Sequence, residues 1–303
     1  MTEPTRANPL KTQTEGAQEL VRAVIAGAPY AAGKLGTSEF EALCWYLEHR
    51  RRKTHQTQYP VHVFRHMVIN AGIFPSRPET LDHWAEHMLQ TVLPAMDLMV
   101  EWNPTSKLHE HYFLEAHAPH STRTVLRALE PYYESDTADR YTLAIPEGSK
   151  IAVVSPFADT IMEQSSKLHS GIWRTPVWSA SHVFIPIQTF YSPLVAGERH
   201  QWAPRLHDWL AACDDIVEKV VHVGAKYVFI GCGALSLPLA AALKQAGCIA
   251  IHTGGATQIL FGIKGRRWDS HSIISKFYND AWARPSADEI PERAAAIENG
   301  CYF

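Results

Sequence analysis

The segment that most constrains the fold runs from Tyr227 to Trp268 and reads YVFIGCGALSLPLAAALKQAGCIAIHTGGATQILFGIKGRRW. It begins with a β-branched and aromatic run that is typical of a buried strand. Gly231-Cys232-Gly233 then predicts a tight turn, and helix formers follow before a second short strand and Gly254-Gly255. A glycine turn between a strand and a helix leaves backbone N–H groups free at the positive end of the helix dipole. The segment therefore predicts an α/β unit that binds an anionic ligand.

The ligand of this unit does not match a typical dinucleotide. The Rossmann fingerprint requires a third glycine or alanine and an acidic residue roughly 20 positions later, which binds the ribose hydroxyls. Ser236 stands at the third position, and His252 ends the second strand. This argues against NAD and against a typical S-adenosylmethionine site. The alternative, that Gly231 and Gly233 only turn the chain, stays open because such motifs are weak out of context.

The composition excludes several classes of partner. A formal net charge of −3 gives no reason to expect nucleic acid or an anionic membrane as the main partner. The five cysteines are scattered without a CxxC pair, which predicts reduced thiols in a cytoplasmic protein rather than disulfides or a zinc site. The uncharged run from Tyr227 to Leu243 is shorter than the about 20 residues that a membrane span needs, so we predict no membrane span.

The order of strand and helix patterns predicts an α/β fold with one Rossmann-like, mostly parallel sheet flanked by helices. The N-terminal and middle segments are predicted to be largely helical, with one long helix over 78–102. The stretch over 104–141 is predicted to be irregular, with short helices as an open alternative. Residues 1–15 are predicted to form a flexible tail, and residues 16–303 a single domain. Strands are expected near Tyr30, Ile151, Val183, Tyr227 and Ile249.

A second glycine turn, Gly36-Thr37-Ser38-Glu39, lies between a predicted strand and a predicted helix. Ser38 and Glu41 fit a capping box, in which each side chain satisfies a free backbone donor at the start of a helix. Glu39 would then be only a favourable acid in the first turn. Alternatively, Thr37 and Glu39 present oxygens at the carboxyl end of a strand, where open α/β sheets bind ligands. The residues by themselves leave both interpretations open.

The strongest positive charge in the second half of the chain follows Gly262 and comprises Lys264, Arg266 and Arg267. Arginine can bind a diphosphate through paired N–H donors, so the cluster suits a phosphate-containing ligand. A solvated surface loop is the open alternative. The histidine-rich run at His109-Glu110-His111 lacks an established ligand spacing, and we predict no metal site there.

Several blocks of the sequence together resemble the GT-D-like glycosyltransferase-domain family. The resemblance runs from about Gly33 to the end of the sequence, and the block from Gly254 to Trp268 is its most specific part. It implies a single Rossmann-like domain that binds a nucleotide-sugar donor and transfers the sugar to a glycan or another acceptor. The matching blocks are Gly36-Thr37-Ser38-Glu39, Val153-Val154-Ser155-Pro156-Phe157, Gly231-Cys232-Gly233-Ala234, the Gly254–Trp268 block and Glu298-Asn299-Gly300-Cys301-Tyr302-Phe303.

The resemblance also implies which residues form the site. Glu39 would be the catalytic carboxylate or a metal ligand. The nucleotide sugar would contact Gly36, Thr37, Ser38, Gly231, Gly233, His252, Gly254, Gly255, Gln258, Lys264, Arg266 and Arg267.

A metal cofactor is implied only in part. In characterised members of the GT-D type, a D-x-E motif is linked to nucleotide-sugar binding and to a divalent metal such as Mn²⁺ or Mg²⁺. The motif maps onto Thr37-Ser38-Glu39, where threonine replaces the aspartate. Because hard cations prefer carboxylate oxygens, this replacement weakens a metal site. The metal would be held by Glu39 and the diphosphate, the basic cluster would replace it, or the protein would no longer catalyse transfer.

Two other functions stay open at this stage. A non-catalytic protein of the same fold that binds a nucleotide sugar or a glycan would be consistent with the missing aspartate. A reductase or methyltransferase is a third class, against which His252 argues. The sequence also leaves open whether the protein forms a homo-oligomer.

Overall fold

The structure is a computed structural model and describes residues 9–51, 58–103, 107–198 and 200–303. Within these ranges, eight strands form one sheet with the order β1-β4-β3-β2-β8-β7-β5-β6, and all neighbouring strands run parallel. The Rossmann-like α/β class predicted from the sequence is therefore confirmed. In chain order the strands are β1 (Leu10–Lys11), β2 (Tyr30–Lys34), β3 (Leu98–Val100), β4 (Thr122–Thr124), β5 (Lys150–Ser155), β6 (Val183–Gln188), β7 (Tyr227–Ile230) and β8 (Ile249–His252).

Helices flank the sheet on both faces and form most of the connections between strands. They are α1 (Gln13–Ala26), α2 (Thr37–Arg51), α3 (Val61–Arg65), α4 (Pro78–His87), α5 (Leu93–Ala95), α6 (Lys107–His117), α7 (Ala158–Ser165), α8 (Pro193–Ala196), α9 (Trp209–Val223), α10 (Ser236–Gln245), α11 (Ala256–Leu260) and α12 (Arg266–Asp269). Short π-helical turns occupy His66–Asn70, Met88–Val92 and Leu168–Ile172, and 3₁₀ turns include Gly233–Leu235 and Glu298–Gly300. In the described part of the chain, no helix combines the length and apolar character needed to cross a lipid bilayer.

The central strands are apolar between their end residues because both faces of the sheet are covered. Successive side chains of a strand point to opposite faces. In β5, Ile151 and Val153 pack into one hydrophobic core, whereas Ala152 and Val154 pack into the other. The same alternation runs through β7 and β8. The sheet therefore separates two cores, and its strand ends remain free to carry a site.

The N-terminal segment differs from the prediction of a tail over residues 1–15. β1 pairs with β4, and α1 already begins at Gln13. The reason is a capping box just before α1, in which Thr12 accepts a hydrogen bond from the N–H of Glu15 and the Glu15 carboxylate accepts one from the N–H of Thr12. The tail prediction is therefore wrong from residue 10 onward, because β1 and α1 occupy this part of the chain. Residues 1–8 lie outside the described residues.

The prediction of one long helix over 78–102 is wrong at its C-terminal end. The helical stretch ends at Ala95, and Leu98–Val100 forms β3 between β2 and β4. All three residues of β3 are completely buried. A short apolar run of this kind fits a buried strand and a buried helix equally well, and only its neighbours in the sheet select the strand. The stretch over 104–141 contains α6 and short 3₁₀ turns, in line with the short helices that the sequence allowed, and in addition the strand β4, which was not predicted.

The strand order creates a switch point at the carboxyl edge of the sheet. The chain leaves β5 towards β6 at one side, and it leaves β7 towards β8 at the other. Open α/β sheets bind ligands in the crevice that forms where neighbouring connections diverge in this way. Gly36, Gly231 and Gly254 follow β2, β7 and β8 and lie at this same edge, as predicted from the sequence.

Candidate functional site

A cavity of about 450 Å³ lies at the carboxyl edge of the sheet. The loops that follow β2, β5, β6, β7 and β8 form its walls. This volume is within the range of small-molecule pockets, roughly 300–1,000 Å³. Its charged lining comprises two carboxylates, Glu39 and Glu298, and two cations, Lys34 and Arg267.

Most of the residues predicted for the site line this cavity. They are Gly36, Thr37, Ser38, Glu39, Gly231, Gly233, His252, Gly254, Gly255, Gln258 and Arg267. Lys264 and Arg266 do not: the Lys264 ammonium lies 5.3 Å from the centre of the Tyr278 ring, and Arg266 is exposed to solvent. Because α12 begins at Arg266, successive side chains there point in different directions. Of the three cations of the predicted cluster, only Arg267 lines the cavity.

The Glu39 carboxylate folds back over the glycine turn at the start of α2. A Cβ atom built on Gly36 would overlap this carboxylate, so the glycine makes room for it. Burial raises the pKa of Glu39, while the N–H of its own backbone and the nearby Lys34 ammonium lower it. Glu41, which the sequence pairs with Ser38 in a capping box, instead contacts Nε2 of His62 at 3.0 Å. That capping box is not formed, and the Glu39 side chain is part of the cavity wall.

Lys34 is a charged residue of the cavity that the sequence analysis missed. It is the last residue of β2, and its ammonium lies 4.3 Å from the centre of the Trp102 ring. Burial lowers the pKa of Lys34, and the carboxylates of Glu39 and Glu130 oppose that effect. The available signal was its position at the end of a predicted strand, two residues before Gly36.

The loop after β3 is held in place by Glu110, which lies buried in α6. The Glu110 carboxylate accepts hydrogen bonds from the backbone N–H groups of Trp102 and Asn103, each at 2.8 Å, and from the Asn103 side-chain amide at 2.5 Å. The side-chain oxygen of Asn103, Oδ1, in turn accepts a hydrogen bond from the Thr37 hydroxyl at 2.7 Å. Through this network, a residue of the histidine-rich run supports the glycine turn at Gly36.

The side chains of the cavity do not fit a divalent metal site. Such cations bind about six oxygen ligands, several of them usually carboxylates. Thr37, at the aspartate position of the motif, donates its hydroxyl hydrogen to Asn103. Glu39 and Glu298 are the two carboxylates of the lining, and no group of three His, Cys, Asp or Glu side chains comes together among the described residues.

Part of the cavity wall is built from the C-terminal segment. Arg267 donates to the Glu298 carboxylate at 2.5 Å and to the Tyr302 hydroxyl at 3.2 Å. Glu298 and Asn299 have φ angles of 45° and 58°, in the left-handed region that non-glycine residues rarely adopt. Such conformations persist where the surrounding contacts fix them, and they cluster at functional sites. The sequence marked this segment as part of the family resemblance but assigned no site role to Glu298 or Tyr302.

His252 lines the cavity as an uncharged imidazole. It is 5% exposed, and its Nδ1 lies 3.2 Å from the carbonyl oxygen of Ile230. Burial, with a smaller contribution from Lys34, lowers the pKa of His252 to about 3. At neutral pH the ring therefore carries one hydrogen, which Nδ1 donates to Ile230, and Nε2 is left as a hydrogen-bond acceptor.

We expect His252 to make folding less favourable at acidic pH. Its pKa is about 3 in the folded protein and about 6.5 in an unfolded chain. Between these values the unfolded state binds the proton, so the free energy of unfolding falls as the pH drops from about 6.5, by at most about 1.4 kcal/mol per pH unit. The His252→Asn variant should lose this slope in urea unfolding between pH 7 and 4.

The comparison with wild type is needed because buried carboxyl groups act in the opposite direction. Burial raises the pKa of Glu130 to about 7, so the native state takes up this proton first as the pH falls. The contribution of Glu130 is the same in wild type and in His252→Asn, so it cancels when their free energies of unfolding are subtracted. Parallel stability profiles for wild type and His252→Asn would contradict the assignment to His252.

We expect that Thr37→Asp destabilises the protein. The new carboxylate would face the Asn103 carbonyl oxygen, acceptor against acceptor, and Asn103 cannot turn its amide without losing its bond to Glu110. The expected cost is about 1–3 kcal/mol in the free energy of unfolding. Urea unfolding measures it, with Thr37→Ser as the control that keeps the hydroxyl. If Thr37→Asp were as stable as wild type and were further stabilised by Mn²⁺, this expectation would be contradicted.

No protein-family model, curated protein or solved structure matches this chain. The fold and the site define it as a Rossmann-like α/β protein with a charged cavity at the carboxyl edge of its sheet.

Proposed function

We propose that this protein is a glycosyltransferase that uses a nucleotide-sugar donor. The observation that carries the proposal is the cavity at the switch point, where a carboxylate, cationic side chains and glycine turns meet. These are the groups that such a transfer needs: donors for a diphosphate, and a carboxylate beside the reacting sugar. The resemblance of the sequence to the GT-D-like family supports the same reaction.

The diphosphate would lie against the glycine turns after β7 and β8. Gly233 and Gly254 line the cavity, and both have φ angles of 61°, a conformation that glycine adopts readily. The positive end of α10 follows the first turn. Arg267 adds a planar group that can donate two hydrogen bonds to one phosphate. Arg267 and the dipole of α10 thus both favour an anion in this part of the cavity.

Glu39 would act at the sugar. When the acceptor hydroxyl attacks, it must lose a proton, and a carboxylate within reach can take it. Burial raises the pKa of Glu39, which makes it a stronger base than an exposed glutamate. The bond between the sugar and the diphosphate breaks at the same carbon, and its electron pair leaves with the diphosphate oxygen. Hydroxyl groups of the donor can donate to His252 Nε2, which the fold leaves as an acceptor.

A ligand panel tests the proposal. UDP-, GDP- and CMP-sugars, NAD and S-adenosylmethionine are compared by thermal shift, with and without Mn²⁺. We expect at least one nucleotide sugar to raise the melting temperature, since a ligand at 100 times its Kd stabilises by about 2.7 kcal/mol. If only NAD or S-adenosylmethionine raised the melting temperature, the proposed function would be contradicted.

The second candidate is a non-catalytic protein that binds a nucleotide sugar or a glycan. It is favoured by one observation, the use of Thr37 in the hydrogen bond to Asn103 at the position of the family aspartate. Incubation of the purified protein with the donor found in the panel separates the two candidates. A transferase releases the nucleoside diphosphate, through transfer to an acceptor or slow hydrolysis, whereas a binding protein leaves the donor intact.

A further inference from the structure

Lys34 presents a positive charge to the cavity without a carboxylate bound to it. Its ammonium makes no hydrogen bond and no ion pair with any residue in the described ranges, and its close partner is the face of the Trp102 ring at 4.3 Å. Removing an ammonium group from water is costly unless an anion or hydrogen-bond acceptors compensate it. The contact with the ring offsets a part of that cost. An anionic ligand that binds the ammonium would offset the rest of this cost.

The position of the Lys34 ammonium is fixed by its surroundings. The Trp102 indole N–H donates to the carbonyl oxygen of Leu35 at 2.6 Å, and the Trp102 backbone N–H donates to Glu110. Trp102 is therefore held both at its backbone and at its indole N–H. On the other side, the ammonium comes within 3.4 Å of the place where a Cβ on Gly254 would stand, so it lies beside the glycine turn after β8. A preorganised charge next to a glycine turn is a suitable site for a phosphate group.

The second cation of the cavity differs from Lys34 in this respect. Arg267 is already paired with Glu298 at 2.5 Å, and it packs on the Tyr302 ring at 4.7 Å. A phosphate must share or displace the Glu298 carboxylate to contact Arg267. It has to displace no carboxylate from Lys34.

We propose that Lys34 is the principal diphosphate-binding residue of this site and that it supplies the charge neutralisation for which other transferases use a divalent cation. The inference rests on the proposed function for the identity of the donor, a nucleoside diphosphate sugar. When the bond between the sugar carbon and the diphosphate oxygen breaks, its electron pair stays on the diphosphate, and Lys34 stabilises the additional negative charge there. Binding of the diphosphate then requires no added metal.

Titration calorimetry with inorganic pyrophosphate in the presence of EDTA tests this inference. The wild-type protein should bind pyrophosphate, and Lys34→Gln should weaken that binding roughly tenfold or more, because a hydrogen bond to a charged group is lost. Lys34→Arg, which keeps the charge, should retain part of the affinity. The matched control is Lys226→Gln, an exposed lysine that precedes β7 at the opposite edge of the sheet and should bind like wild type. Thermal unfolding confirms that each variant is folded.

Each outcome decides between the inference and the proposed function. Equal affinity of wild type and Lys34→Gln, absence of pyrophosphate binding to wild type, or binding only after Mn²⁺ is added would overturn the role of Lys34. Nucleotide-sugar binding that persists in Lys34→Gln leaves the proposed function standing and refutes this inference. Conversely, Lys34-dependent pyrophosphate binding without any bound nucleotide sugar in the panel refutes the proposed function and leaves the anion site.

Discussion

Glu39→Gln is expected to remove sugar transfer while the protein stays folded. The amide has the size of the carboxylate but cannot take the proton of an acceptor hydroxyl, and general-base catalysis typically contributes about 10²–10⁴ in rate. We therefore expect kcat to fall at least about a hundredfold, measured as release of nucleoside diphosphate from the donor that the panel identifies. Donor affinity, measured by calorimetry, should change far less.

The control is Glu41→Gln, two residues away on α2. Glu41 contacts His62 and does not line the cavity, so its variant should keep wild-type activity. A helix-terminal charge by itself contributes typically 0.3–1 kcal/mol to stability. If Glu39→Gln lost only that stability and transferred sugar like wild type, Glu39 would be a helix-terminal acid and no more.

A second variant moves the carboxylate instead of removing it. Gly36→Ala would place a methyl group where the Glu39 carboxylate now lies. The Glu39 side chain is flexible and can move away at little cost in stability, so Gly36→Ala should fold and yet transfer sugar much more slowly. Together with Glu39→Gln, it distinguishes the need for a carboxylate from the need for its position.

Arg267→Ala is expected to weaken nucleoside diphosphate binding, whereas Arg266→Ala should leave it unchanged. Only Arg267 lines the cavity. Its removal deletes charge-assisted hydrogen bonds and leaves the Glu298 carboxylate unpaired in the cavity, where it repels the ligand. Because the Arg267 side chain is 37% exposed, we expect the affinity for the nucleoside diphosphate to fall about tenfold, less than for the loss of a buried ion pair.

Calorimetry with the nucleoside diphosphate and with the bare nucleoside measures this difference. Nucleoside binding should be the same in wild type, Arg266→Ala and Arg267→Ala, because the argument concerns the phosphates alone. Equal losses for both ligands would mean that Arg267 supports the shape of the wall through Tyr302 and does not contact the diphosphate. An effect of Arg266→Ala as large as that of Arg267→Ala would restore the cluster predicted from the sequence.

The sequence determined the fold class and the location of the cavity for one physical reason. Apolar runs separated by helical patterns specify parallel strands, and the carboxyl ends of parallel strands come to the same edge of a sheet. A glycine after such a strand is therefore placed near the glycine after its neighbour, without further information. Gly36, Gly231 and Gly254 are far apart in the chain but line the same cavity.

The tertiary structure alone decided which side chains face the cavity and what they contact. Arg266 and Arg267 are adjacent in sequence and both are exposed, but at the start of α12 only Arg267 lines the cavity. Lys34 and Trp102 meet because β2 pairs with β3, and β3 itself cannot be distinguished from helix by its short apolar run. Such contacts depend on packing between segments that no local pattern links. The sequence by itself determined the edge of the sheet where the cavity lies, and the packing of its loops decided the chemistry of that cavity.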